Sequence, residues 1–138
     1  MSKKIVITGG LGYIGTELCK IYSGISWNNE IIVIDNRFIS ERVNQIRNWN
    51  MDFVHGDILD AELINKHCKD ADIVHHLAGI TDVPRVKSES SDDQDAKIKL
   101  IAEKGTQNIL DAISENCKII FPSTHVVYEG IEKVKNNI

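Results

Sequence analysis

The sequence predicts a doubly wound α/β domain: a parallel sheet of strand order 3-2-1-4-5 with helices on both faces. Three observations predict it. Short apolar runs alternate with segments of helical period along nearly the whole chain. Four glycines crowd between positions 9 and 15, where the first apolar run gives way to the first helical segment. An acidic residue, Asp35, closes the second apolar run 20 residues after Gly15.

The elements follow in order. "KIVIT" at 4–8 reads as a buried strand, because a near-continuous β-branched run suits a parallel sheet covered on both faces. From Tyr13, "YIGTELCKIYS" places Ile14, Leu18, Ile21 and Tyr22 at helical spacing, and "EIIVID" is the second strand. "ISERVNQIRNW" reads as a helix, "MDFVHGD" as a short strand, "DAELINKHC" as a helix and "ADIVHHLAG" as the fourth strand. The polar segment from Asp82 to Asp95 reads as a loop, either a solvated connection whose Ser and Asp residues cap the next helix or a flap near a ligand. "DQDAKIKLIAEKGTQNILDAISEN" is then a long helix and "KIIFPS" a fifth strand. With no internal repeat and no linker, residues 1–138 form a single domain.

Composition narrows the function classes. A chain of 138 residues, 42% hydrophobic and 26% charged, can bury one core. Sixteen Lys and Arg against twenty Asp and Glu give net charge −4, and no basic stretch is present to neutralise a phosphate backbone, which argues against a nucleic-acid partner. The N-terminal apolar run is too short for a secretory signal and nothing approaches a span of ~18 apolar residues, so no membrane segment is expected and the expected location is cytoplasmic. Cys19, Cys68 and Cys117 are widely separated and form no Cys-x-x-Cys pair; they read as reduced structural thiols, with one reactive thiol as the alternative. His55, His75 and His76 fall near the carboxyl edge of the sheet without Cys or acidic neighbours at ligand spacing, so no metal site is expected. His125 beside Thr124 is read as lining a substrate cleft or as merely positional.

The glycines carry the chemistry. Gly10, Gly12 and Gly15 satisfy G-x-G-x-x-G between a strand and a helix, the context a dinucleotide fingerprint requires. The turn needs backbone angles that L-residues resist, a diphosphate must approach bare backbone at the helix N-terminus, and the last glycine lets helix and strand pack closely. Asp35 can accept hydrogen bonds from both ribose hydroxyls and repels a 2′-phosphate, which favours NAD over NADP; Arg37, two residues on, cuts the other way because a guanidinium can pair with that phosphate. A phosphate-binding loop of the Gly-Lys type is excluded, since Gly15 is followed by Thr16.

"TGGLGYIG", with Thr8-Gly9, Gly12 and Gly15 at T-G-x-x-G-x-x-G spacing, resembles the extended short-chain dehydrogenase/reductases, specifically the NAD-dependent epimerase/dehydratases of nucleotide sugars, whose cofactor half is a Rossmann fold. Four later stretches agree. "VIDN" resembles the ribose-binding strand end (Asp35, Asn36), and "HGDILD" the element whose Asp57 and Ile58 would contact adenine. "HHLAGIT" resembles the segment that would put Leu77, Ala78, Gly79 and Thr81 beside the cofactor, as Gly9, Tyr13, Ile14 and Arg37 would be; "IIFPSTHVVYEG" resembles the fifth-strand element with Ser123 near the cofactor. There Thr124 falls on the catalytic position that hydrogen-bonds the reacting oxygen of the substrate. Two departures stand out: "V-Y-E-G" replaces the family's V-Y-G, and Ala102 stands where an Asn usually precedes Gly105-Thr106.

The resemblance also implies a Tyr-x-x-x-Lys pair, and none exists here. The residues four after Tyr13, Tyr22 and Tyr128 are Glu17, Ser26 and Glu132. The expectation is therefore the N-terminal cofactor-binding portion of a longer enzyme, with the C-terminal part of the fold absent, a nucleotide-sugar substrate for the full protein, and no turnover by this chain alone. Its fifth strand would be an open sheet edge prone to self-association. The resemblance further implies a homodimer through the long helix at about Asp95 to Asn116 and the helix that follows it in the family, of which only the first is expected here. A non-catalytic NAD(P)-binding regulator of the same fold is the alternative, and an interaction module that has lost the nucleotide fits the intact glycines less well.

Overall fold

The computed structural model describes residues 2–25, 28–80 and 92–123. Five parallel strands form one sheet of order β3-β2-β1-β4-β5: β1 Lys4–Thr8, β2 Glu30–Asp35, β3 Asp52–His55, β4 Ile73–His76 and β5 Lys118–Ile120. This is the predicted doubly wound order.

Period-2 alternation along the central strand splits the core into two layers. Ile5 and Ile7 of β1 face the cluster that includes Val33, Cys19, Val43 and Ile46, under helices α1 (Tyr13–Ile25) and α2 (Ser40–Asn48). Val6, Ile32, Ile34 and Val74 face the opposite way onto Ile64, Cys68 and Ile109, beneath α3 (Ala61–Cys68) and the helical stretch that follows β4. Both sides of β1 are thus covered, and Val6 and Ile7 are fully buried.

Local chemistry sets the helix ends. The Asp60 side chain accepts from Leu63 N–H at 3.0 Å and caps α3. Helix α2 closes through Asn50 at φ 58°, with Asn50 N–H bonding to the Arg47 carbonyl and Met51 N–H to that of Ile46, a Schellman arrangement with Asn in the left-handed position.

Two expectations are corrected. The loop foreseen up to Asp95 ends sooner, because α4 begins at Asp92 (Asp92–Leu100). The single long helix foreseen from Asp93 to Asn116 is interrupted by a π-helical turn, Ile101–Gly105, resumes as α5 (Thr106–Ala112), and stops where Ile113 turns extended at ψ 152°. Gly105 sits so close to Ile58 that an added Cβ would stand 2.3 Å from Ile58 Cδ1, so this turn presses the helix against the end of β3.

Candidate functional site

The site is assembled where the carboxyl ends of β1, β2, β3 and β4 meet. Out of β1, Gly9 takes φ +70°, and an added Cβ would stand 2.7–2.8 Å from backbone atoms of Leu77 and Ala78. Gly12 N–H returns to the Gly9 carbonyl at 3.1 Å, and α1 starts at the next residue. A Cβ on Gly15 would meet Gly10 Cα at 2.5 Å, which is the close helix-to-turn packing expected of the third glycine. Thr16 N–H is the first amide of α1 to reach a carbonyl one turn back, that of Gly12 at 2.9 Å, and Tyr13, Ile14 and Gly15 before it line the cleft.

Asp35 anchors this turn to β2. It is buried, and its Oδ2 accepts from Leu11 N–H at 3.0 Å while Oδ1 accepts from Arg37 N–H at 2.9 Å and Arg37 Nε at 3.3 Å. Leu11 is held at its other end too, since Arg42 Nη1 donates to the Leu11 carbonyl. The Arg42 guanidinium also lies 5.6 Å from the Tyr13 ring centroid. Asn36 is exposed, and its carbonyl pairs with His55 Nε2 at 3.0 Å.

At the end of β3, Gly56 N–H bonds to the Asp35 carbonyl, Asp57 is exposed with Oδ1 accepting from Leu59 N–H at 2.9 Å, and Ile58 is buried. The Ile58 carbonyl accepts from the buried Asn108 amide of α5 at 2.9 Å. At the end of β4, Leu77 N–H donates to the Thr8 carbonyl and Ala78 N–H to Thr8 Oγ1.

A polar chain runs beneath: Thr8 Oγ1 meets His76 Nδ1 at 2.8 Å and His76 Nε2 meets Thr106 Oγ1 at 3.0 Å. Thr8 Oγ1 also accepts from Ala78 N–H, and the tautomer protonated at Nε2 would accept from the Thr8 hydroxyl at Nδ1 and donate to Thr106. Burial lowers the His76 pKa, so the ring is neutral and this tautomer satisfies every partner. His75 points to the other layer, where its Nε2 meets the Tyr22 hydroxyl at 2.7 Å; desolvation lowers the His75 pKa and raises that of Tyr22. Both histidines have structural partners. Among the described residues no group of three or more His, Cys, Asp or Glu is placed to hold a metal ion, and no helix is long and apolar enough to cross a membrane.

These four strand ends enclose a cleft of about 860 Å³. Of the residues the sequence nominated, Gly9, Gly12, Tyr13, Ile14, Gly15, Asp35, Asn36, Arg37, Asp57, Ile58, Leu77, Ala78 and Gly79 all line it. Ser123 is exposed at the end of the described chain, one residue past the lining residue Pro122. Thr81 and Thr124, with His125 and Tyr128, lie outside the described residues. Sequence reasoning missed Ile101, which reaches the wall from the π-helical turn, and Arg42 and Thr106, which act from behind it. No spacing rule marks them.

The residues present fit a dinucleotide. The bare glycine turn leaves the amides of α1 open to a diphosphate, Asp35 stands at the end of β2, and the volume lies within the usual range of cofactor sites. Fold and cleft together define a nucleotide-binding domain of the doubly wound class. The chain belongs to the 3-beta hydroxysteroid dehydrogenase/isomerase family, whose sequence profile matches residues 6–137. Individual relatives agree with the resemblance carried by "TGGLGYIG". The chain is 34% identical over 146 aligned residues to the CDP-paratose 2-epimerase of Salmonella typhi, covering 97% of this chain and 40% of that protein. Among solved structures, the UDP-N-acetylglucosamine 4-epimerase of Methanobrevibacter ruminantium superposes with a TM-score of 0.70 at 27% identity, covering 98% of this chain and 44% of that one. The dTDP-glucose 4,6-dehydratase of Streptomyces venezuelae, solved with NAD bound, gives 0.63 at 26% identity over 79% of this chain and 35% of that one. The chain thus spans about two fifths of the length of these proteins.

Proposed function

We propose that this chain is the NAD-binding portion of a nucleotide-sugar epimerase or dehydratase that works by hydride transfer to and from the bound cofactor. The observation that supports it most directly is the buried Asp35 carboxylate at the end of β2, bonded to the glycine turn and lining the cleft where an adenosine ribose would lie. The matched family is named for hydroxysteroids; the nucleotide-sugar reading follows the individual relatives, which match 97% and 98% of the chain.

Bound NAD would supply the hydride acceptor and donor. This chain's share is to bind and orient. The amides opening α1 and Gly12 seat the diphosphate, Asp35 takes the ribose hydroxyls, Asp57 and Ile58 flank the adenine, and Leu77, Ala78 and Gly79 line the nicotinamide side. By the family resemblance, Thr81 and Ser123 would contact the cofactor and Thr124 would hydrogen-bond the reacting oxygen of the substrate. These 138 residues contain no Tyr-x-x-x-Lys pair to transfer the proton.

The test is a calorimetric titration of the chain with NAD and NADP, repeated on Asp35→Asn. Asparagine keeps an oxygen for Leu11 N–H but loses the charge. The expected result is saturable NAD binding tighter than NADP, weakened about tenfold by the variant, with the preference for NAD narrowed. An unchanged NAD-to-NADP ratio in the variant would show that Asp35 does not read the ribose, and no binding to the wild-type chain would sink the whole reading.

A further inference from the structure

Arg37 is ambiguous in the sequence, since a guanidinium beside a ribose-binding acid can read a 2′-phosphate. The geometry assigns it a different task. Its Nε is bonded back to Asp35 Oδ1 at 3.3 Å, and its Nη2 lies 3.9 Å from the point where a Cβ on Gly12 would stand. The guanidinium therefore reaches from the end of β2 toward the glycine turn that opens α1. That is the stretch of cleft a diphosphate crosses between ribose and helix N-terminus.

Charge favours the same conclusion. Among the described residues lining the cleft, Arg37 is the one cation, facing two carboxylates, Asp35 and Asp57. A diphosphate brings two further negative charges, and the partial positive charge of a helix N-terminus, about half a unit, offsets only part of them. A 2′-phosphate would add its charge beside Asp35 and compete with that carboxylate for the guanidinium it already holds.

We infer that Arg37 is the counter-ion of the cofactor's diphosphate and does not discriminate the 2′-phosphate. This rests on the dinucleotide reading above. Its side chain is 55% exposed, so substitution leaves the core intact, and the melting temperatures of the variants serve as the check.

The experiment titrates NAD and NADP into the wild-type chain, Arg37→Gln and Arg37→Lys, at low and high salt. The expected result is that Arg37→Gln weakens both nucleotides by about tenfold with their ratio unchanged and a flatter salt dependence, and that Arg37→Lys recovers part of the loss. Loss of NADP binding alone would make Arg37 a 2′-phosphate reader and overturn the inference. Unchanged binding of both would do so as well, while leaving the dinucleotide reading intact. Failure of the wild-type chain to bind either nucleotide would overturn both.

Discussion

Replacing Gly9 by alanine tests the geometry of the cleft most directly. Gly9 sits at φ +70°, where an L-residue costs roughly 1–2 kcal/mol. The new Cβ would also stand 2.7 Å from Ala78 N, 2.8 Å from Ala78 Cα and 2.8 Å from the Leu77 carbonyl carbon. Those are backbone atoms held by the Thr8–Leu77 and Thr8–Ala78 hydrogen bonds, so no side-chain rotation relieves the clash, and overpacking of this kind costs about 1–3 kcal/mol. The sum, roughly 2–5 kcal/mol, is a large share of the 5–15 kcal/mol typical of a folded domain. At a urea m-value of ~2 kcal/mol per molar, the unfolding midpoint should fall by about 1–2.5 M. Gly24→Ala is the matched control: nothing lies within 4 Å of its added Cβ, it is exposed in α1, and the same substitution should raise stability by up to about 1 kcal/mol. Urea unfolding followed by circular dichroism reads both. If Gly9→Ala unfolds within ~0.3 M of the wild type, the turn is not packed as described and the argument for the cleft fails with it.

The remaining predictions concern pH and thiols. Desolvation lowers the pKa of His75 and His76 in the fold, and of His67 with help from Lys66, so below the ordinary histidine pKa the unfolded chain binds more protons than the native one. Stability is therefore complete above about pH 6.5 and falls on acidification, each fully neutral ring adding a slope of up to about 1.4 kcal/mol per pH unit; a melting temperature that is flat from pH 7 to 5 would contradict this. Burial pushes the Cys19 thiol up to about 11 and the Cys68 thiol to about 12, while Cys117 is only part-buried and raised less, chiefly by desolvation. A thiol-reactive reagent at pH 8 should thus modify Cys117 first and the other two only as the protein unfolds. Mass spectrometry of the labelled chain distinguishes this from equal reactivity, the result that would refute it.

The sequence by itself determined the sheet order, the turn and the acid. Runs such as "KIVIT" and "EIIVID" can be buried on both faces only in a covered parallel sheet, and the glycine spacing makes sense only at a strand-to-helix junction. These are local patterns, written in neighbouring residues. The contacts that hold the cleft are not local. Arg42 meets Leu11 from 31 positions away, and His76 joins Thr8 and Thr106 across 68 and 30 positions. Read along the chain, His76 is a histidine near the carboxyl edge of the sheet and Arg42 carries no signal; only the packing of α2 and α5 around the strand ends gives them their partners. The π-helical turn likewise depends on a tertiary fit, Gly105 against Ile58, that helical periodicity does not encode. The direction of the Arg37 guanidinium belongs to the same class. Its residue type allows either phosphate, and only the placement of Gly12 beside it points to the diphosphate.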